Sequence, residues 1–403
     1  MQLSRRHLLF AGALAPSMLR AAPSGNPPRW VVVLLRGAVD GLSVCAPYAE
    51  PEYGAERPSI ALPRPGLEGG LIDLDGRFGL HPALAALQPL WAAGQLGFVH
   101  ACGAPGVGRS HFEAQDELEA GTPGVKTTPD GWMARLIGLR AGAEQVQAVY
   151  TGATRPKLFK GSGVGVQVAA LPGLSARRSR SQAPALSGAL ERLYAQDPRY
   201  AQAWKDGQMG RDQLDQALAE TPSMDPKADG GAPLPGGFPE TARRLARVMR
   251  ADAGVQFACL ELGGWDTHAR QGAAQGQLAG RLAPLGQGLA VLAQDLGALW
   301  QDTVVTVISE FGRTVAENGN GGTDHGHGNV LWQLGGRVAG GRVLGDWPGL
   351  QRSARHEGRD LAITTDYRAV LSGIAAQHLG LRDAALASLF PRFSGAALNL
   401  LRA

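Results

Sequence analysis

Five short apolar runs constrain this chain more than any other feature: Trp30–Leu35, Leu96–Ala101, Val146–Tyr150, Val255–Leu262 and Thr303–Ile308. They are rich in valine and lack strict alternation, the pattern of strands covered on both faces. They predict an α/β fold: a mostly parallel central sheet with helices on both faces. The segments between them carry helical spacing. Pro82 opens a helix through Leu84, Leu87 and Leu90 that ends near Gly94. Leu278, Leu282, Leu285, Leu289, Leu292, Leu296 and Leu299 recur at steps of four and three, a stripe suited to packing on the sheet. Pro284 either bends that helix or marks its true start. Strand, helix and strand in repetition imply right-handed crossovers. Residues 175–240 interrupt this rhythm and read as an insertion or cap. That segment ends in an amphipathic helix begun by Pro239 and anchored by Leu245 and Met249.

The N-terminus carries an address. Arg5 and Arg6 precede an apolar stretch, Leu8–Leu19, and a small-residue exit at Ala21 and Ala22. That layout predicts a twin-arginine (Tat) signal peptide over residues 1–22, with the Tat translocase as partner during export and a periplasmic or secreted destination. The stretch is shorter than the roughly 20 residues a bilayer span requires, so no stable membrane insertion is expected after cleavage. Cleavage removes three arginines (Arg5, Arg6, Arg20) and takes the formal charge from +4 to +1. No basic footprint for nucleic acid remains; Arg177–Arg180 is a small solvated cluster. The three cysteines, Cys45, Cys102 and Cys259, have no paired spacing, and Cys102 and Cys259 lie in or beside strands, as buried free thiols do. Neither an iron–sulfur pattern nor a dinucleotide fingerprint is present, which weighs against a redox enzyme.

In open α/β sheets, ligands bind beyond the carboxyl ends of the strands. The polar residues of this chain fall there: Arg36 to Asp40 after the first run, Arg109-Ser110-His111 after the second, Gly263 to His268 after the fourth, Ser309 to Arg313 after the fifth, then Gly321 to Gly328. Asp266 and His268 are two residues apart, as are His325 and His327, with Asp324 adjoining; carboxylates and imidazoles at that spacing can face one divalent ion. Ser110 opens a Ser-x-x-Glu capping box with Glu113. It is open to two roles: helix cap, or nucleophile at a helix N-terminus that favours anions.

The segments VVVLLRGAVDGL, GRSHFEAQD, LGGWDTHARQG, SEFGRT and GGTDHGHGN resemble those of the DUF1501 family of Tat-exported bacterial proteins, from about residue 28 to near the C-terminus. The resemblance implies an alkaline-phosphatase and sulfatase-like fold, with residues 23–403 as one domain and 175–240 inserted in it. It also implies a nucleophile at a helix start and one or two divalent metals (Zn, Mn, Ca or Mg). Carried over, Asp40 is an acidic ligand, Ser110 the nucleophile, Asp266 and His268 a metal pair, Glu310 a second-site acid, and His325 or His327 a late ligand, with Asp324 a further candidate. Two departures stand out: Glu310-Phe311 replaces the usual Asp-His pair, and Arg36 rather than an acid follows the first strand. The implied activity is metal-dependent hydrolysis of phosphate or sulfate esters, small or polymeric. Arg36, Arg109 or Arg313 would steady the charged oxygens, and His111 or His268 would protonate the leaving group. The alternative is a non-catalytic envelope protein that keeps the fold and uses the pocket for a glycan or partner.

Overall fold

The computed structural model describes residues 25–140, 146–152, 154–161, 167–171 and 228–402. The signal segment, the Arg177–Arg180 cluster and the insertion as far as residue 227 lie outside the described residues. In chain order the strands are β1 (Arg29–Leu35), β2 (Cys45–Ala46), β3 (Ile72–Asp73), β4 (Gly79–Leu80), β5 (Leu96–Gly103), β6 (Gln147–Tyr150), β7 (Gln167–Ala170), β8 (Val255–Leu262), β9 (Thr303–Ile308), β10 (Asn329–Gly335), β11 (Val343–Leu344) and β12 (Thr365–Asp366). Among the described residues, nine of them form one sheet in the order β11-β5-β10-β9-β1-β8-β6-β7, with β12 also pairing β5. Strands β2, β4 and β3 form a small antiparallel sheet beside it.

β1 shows why the runs lack alternation of polarity. Trp30, Val32 and Leu34 enter one core, with Trp132, Met133, Leu136 and Ile137 of the Trp132–Gly138 helix and Val370, Leu371 and Ile374 of the Tyr367–Gln377 helix. Val31, Val33 and Leu35 enter the other, against Phe238, Leu245 and Met249 of the Phe238–Ala251 helix and the leucine stripe of the Gln277–Leu296 helix. Helices therefore cover both faces, and a central strand must be apolar on both sides.

All five predicted strands are present, shifted by no more than two residues at an end. The sheet is parallel at β1–β8, β1–β9 and β6–β8, as expected, but β10 runs antiparallel between β5 and β9. Because β10 returns along β9, residues 309–328 stay at the carboxyl edge as one long loop, and the site is built around that loop. Two helix expectations change. The Pro82 segment begins as a 3-10 helix, Pro82–Leu87, before the α-helix Gln88–Ala92. Pro284 sits inside the Gln277–Leu296 helix and does not start it, and Leu299 belongs to a following 3-10 turn. No helix among the described residues is long and apolar enough to cross a membrane. The three cysteines are buried and free.

Leu289 is buried between helix and sheet, whereas Leu299 is only partly buried. Leu289→Ala is therefore expected to cost about 2–5 kcal/mol in urea unfolding, and Leu299→Ala clearly less. Equal losses would contradict the assignment of the stripe to the core.

Candidate metal centre

The loops after β1, β5, β8 and β9 meet at the carboxyl edge of the sheet. Asp266, buried four residues past β8, lies at their centre. Its Oδ1 accepts a close ion-pairing contact from Arg313 and lies 3.2 Å from His325 Nε2, 3.0 Å from His268 Nε2 and 3.6 Å from His111 Nε2. His325 Nε2 is in turn 3.0 Å from His111 Nε2 and 2.9 Å from His268 Nε2. Among the described residues, the ligand atoms of His111, Asp266 and His325 lie close enough together to hold a metal ion, and His268 adjoins this group at Asp266 and His325.

The protons on these rings can be placed. His325 Nδ1 lies 2.9 Å from the Arg109 carbonyl, which can only accept, so Nδ1 carries the proton. His111 Nδ1 lies 2.7 Å from Glu310 Oε1, and His268 Nδ1 lies 3.2 Å from Asp324 Oδ1. Burial opposes ionisation of both acids, but their hydrogen-bond partners prevail and hold both below the usual carboxylate range. Both are therefore acceptors, and both rings donate through Nδ1. In the neutral rings each Nε2 carries the lone pair, and all three Nε2 atoms lie within 3.6 Å of one carboxylate oxygen. Imidazoles oriented from behind by carboxylates and a carbonyl are the usual outer arrangement of a metal site. Ligand atoms around an ion at zinc distances stand about 3.3 Å apart, close to the 3.0, 3.2 and 3.6 Å among His111 Nε2, His325 Nε2 and Asp266 Oδ1, so these three donors fit a small divalent cation, with His268 beside them.

The electrostatics agree. Burial works against the charged form of His111, but Asp266 and Glu310 outweigh it and push its pKa up to about 9. Burial would raise the Asp266 carboxyl, yet the three imidazoles and Arg313 hold it well below its ordinary range. This is a place that demands positive charge.

The local backbone explains why these loops can meet. Gly37, at φ 111°, lets the β1 loop pass against the β8 loop; a Cβ there would come within 2.9 Å of the Asp266 nitrogen. Its amide donates to Glu310 Oε1 at 2.8 Å. Arg313 is buried and donates to the carbonyls of Ala38 (2.6 Å), Gly37 (2.7 Å), Thr323 (3.1 Å) and Trp265 (3.2 Å) as well as to Asp266.

Several expectations are corrected. Asp40 is not at the cluster: it is fully buried against Arg57, whose Nη1 and Nη2 donate at 2.6 and 3.1 Å, and it also accepts from Ser43 and Gln271. Glu310 stands behind His111 and not among the atoms that face Asp266 Oδ1, its Oε1 also accepting from Gly37 and Gln115. Asp324 likewise stands behind His268. His325 and His327 do not face one ion. Gly326 donates to the Gly312 carbonyl while the Gly312 amide donates to His327, two residues opposing one. This bulge breaks the alternation that would have paired them. His327 instead stacks on His356 at 4.1 Å, and burial beside His356 lowers its pKa to about 4.

The arginines are engaged within the protein. Arg36 bonds Glu261, Gln115 and Glu119, Arg109 bonds Asp360 and Glu357, and Arg313 is bound as above. His111 and His268 each have Nδ1 against a carboxylate and Nε2 facing His325 and Asp266. Ser110 is exposed at the start of the His111–Ala120 helix and its side chain makes no capping bond; Glu113 pairs with Lys126 instead of closing the capping box.

Sequence reasoning missed Arg57, Gln115, Gln271 and Asp229. Asp229 is buried, accepts the Gly264 amide at 2.9 Å, and has its pKa raised to about 6 by burial, with Glu310 and Asp266 adding to the effect against the Gly264 bond. Gln115 and Gln271 lay inside quoted motifs, whereas Arg57 and Asp229 did not.

The family model described as "Protein of unknown function (DUF1501)" matches residues 27–386. The chain belongs to the DUF1501 family. No curated protein matches it. Among solved structures, this DUF1501 chain is similar to a protein in the alkaline phosphatase superfamily from Vibrio parahaemolyticus, with 11% identity and a TM-score of 0.32; the match covers 80% of this chain but only 63% of the other. It is similar to the C-terminal periplasmic domain of EcEptC from Escherichia coli in complex with Zn, with 12% identity and a TM-score of 0.36 over 78% and 74% of the two chains. It is also similar to the lipoteichoic acid synthase LtaP from Listeria monocytogenes, with 10% identity and a TM-score of 0.36 over 76% and 65%.

Removing the Arg57 side chain strands a buried carboxylate, so Arg57→Ala is expected to lower stability by about 3–5 kcal/mol in urea unfolding. The double change Asp40→Asn with Arg57→Met should recover most of that loss. An Arg57→Ala chain as stable as the parent would contradict the pairing.

Proposed function

We propose that the protein is a metal-dependent hydrolase of phosphate or sulfate esters, exported by the Tat route to act in the periplasm or beyond. One observation carries the reading: the Nε2 atoms of His111, His268 and His325 converge on Asp266 Oδ1 while each Nδ1 is held from behind. Three imidazoles and one carboxylate suit zinc better than calcium or magnesium, which prefer oxygen donors. A divalent cation held there supplies a Lewis acid that polarises an ester oxygen and lowers the pKa of an adjacent hydroxyl or water.

The chain's own residues supply the rest. Glu310, Asp324 and the Arg109 carbonyl fix the imidazole tautomers, and Arg313 holds Asp266 in place. Ser110 presents an uncapped, exposed hydroxyl immediately before His111, at a helix N-terminus whose dipole favours an anionic group. It is the proposed nucleophile toward a small or polymeric ester.

A second reading, an envelope binding protein that uses the site for a glycan or partner, is favoured by one observation. Arg36, Arg109 and Arg313 all give guanidinium protons to protein acceptors, whereas an anionic ester calls for cationic donors.

The zinc-loaded mature protein is expected to hydrolyse p-nitrophenyl phosphate or sulfate, to lose that activity to a chelator, and to regain it with zinc. Ser110→Ala should lower turnover by roughly 10³-fold or more with zinc content unchanged. A chain that holds zinc yet turns over neither ester would sink the hydrolase reading and leave the binding one.

A further inference from the structure

We infer that Gln271 is a positioning residue for the metal centre: its buried amide ties the two ligand-bearing loops to each other and to the Asp40–Arg57 pair. The inference rests on the metal reading above and concerns what sets the ligand spacing.

Gln271 is fully buried. Its Oε1 accepts from Thr267 Oγ1 at 2.7 Å and from Thr323 Oγ1 at 3.1 Å. Its Nε2 donates to Asp40 Oδ2 at 2.7 Å and lies 3.3 Å from Ser43 Oγ. The polarity of the amide is unambiguous, because a carboxylate held by Arg57 only accepts. Thr267 lies between Asp266 and His268, and Thr323 lies two residues before His325. One amide oxygen thus fixes both loops from beneath.

The backbone of Gln271 adds to the clamp: its amide donates to the Gly321 carbonyl at 2.8 Å, and its carbonyl accepts from Leu278 at 3.1 Å at the start of the Gln277–Leu296 helix. On the outer side, Asn318 Nδ2 bonds the His268 carbonyl and Asp324 Oδ1, each at 2.9 Å. The anchor beneath is rigid, since Arg57 also donates to the carbonyls of Val315 and Thr314, both at 2.8 Å. Asp40 therefore serves the centre as the fixed end of a clamp. Glutamate at position 271 would set a second carboxylate against Asp40 and lose the donor, so only an amide of this length satisfies all three partners.

The test titrates zinc chloride into the full mature chain against a competing chelator. Gln271→Met keeps the length without polar atoms, and Thr267→Val keeps the shape without the hydroxyl. Each is expected to weaken zinc binding by about 10–100-fold. The double variant should be no weaker than Gln271→Met alone, because both remove one link. Leu289→Ala, remote in the core, should lower stability while leaving zinc affinity unchanged, which separates positioning from general loosening. Zinc affinity in Gln271→Met equal to the parent, or additive losses in the double variant, would overturn the role of Gln271. If Gln271→Met does not fold, Thr267→Val and Thr323→Val decide the matter, and unchanged zinc affinity in both overturns it. A parent chain that takes up no zinc overturns the metal reading itself.

Discussion

The buried guanidinium of Arg313 is the contact on which the rest of the site depends. It reaches the carbonyls of Gly37 and Ala38 after β1, Trp265 after β8 and Thr323 in the long loop, and it ion-pairs with Asp266. Carbonyls at strand ends have no ladder partner, and leaving them buried and unpaired is costly. One side chain reaches four such carbonyls, that of Trp265 also accepting from the Thr267 amide, and in doing so brings three segments to one point. Asp266 is kept ionised by the three imidazoles that face it, with Arg313 adding to them.

Charge is unevenly distributed around this point. Asp40, Glu119, Asp229, Glu261, Asp266 and Glu310 are buried acids, and the buried guanidiniums facing them are Arg36, Arg57 and Arg313. Arg57 neutralises Asp40, and Arg36 is shared between Glu119 and Glu261. Asp266 and Glu310 are left to Arg313 and the imidazoles. Burial penalises uncompensated charge heavily, so the cluster is most stable with a further positive charge, carried as a proton on His111 or as a bound cation. Structural pairs and site residues are thus parts of one electrostatic arrangement, which is why arginines that look like substrate ligands in the sequence turn out to hold the frame.

The sheet was legible from the sequence because strands buried on both faces leave a plain signature: β1 is apolar from Trp30 to Leu35, and β8 and β9 are apolar but for Gln256 and Glu261 and for Thr303 and Thr306. β10 was missed because Asn329-Val330-Leu331-Trp332-Gln333 mixes polar with apolar residues, and Gln333 and Asn329 are buried by hydrogen bonding, not by apolarity. For the site, loop position drew attention to Asp266, His268 and His325, and chemistry-bearing residue types to His111, Glu310 and Arg313, which the structure brings together. What spacing could not provide was direction. The bulge at Gly326 and His327 turns one histidine away, and the partner of Asp40 lies 17 residues on, at Arg57, in a segment with no motif of its own. Contacts of that kind are fixed by tertiary packing and leave no periodic trace.

The central claim is that one divalent cation sits among His111, His268, His325 and Asp266. Anomalous diffraction at the zinc edge, from crystals of the mature protein grown with zinc, tests it most directly. The account predicts a single strong peak bounded by the three Nε2 atoms and Asp266 Oδ1. Density at Asp40 or at the His327–His356 stack, with nothing among those four residues, would contradict it.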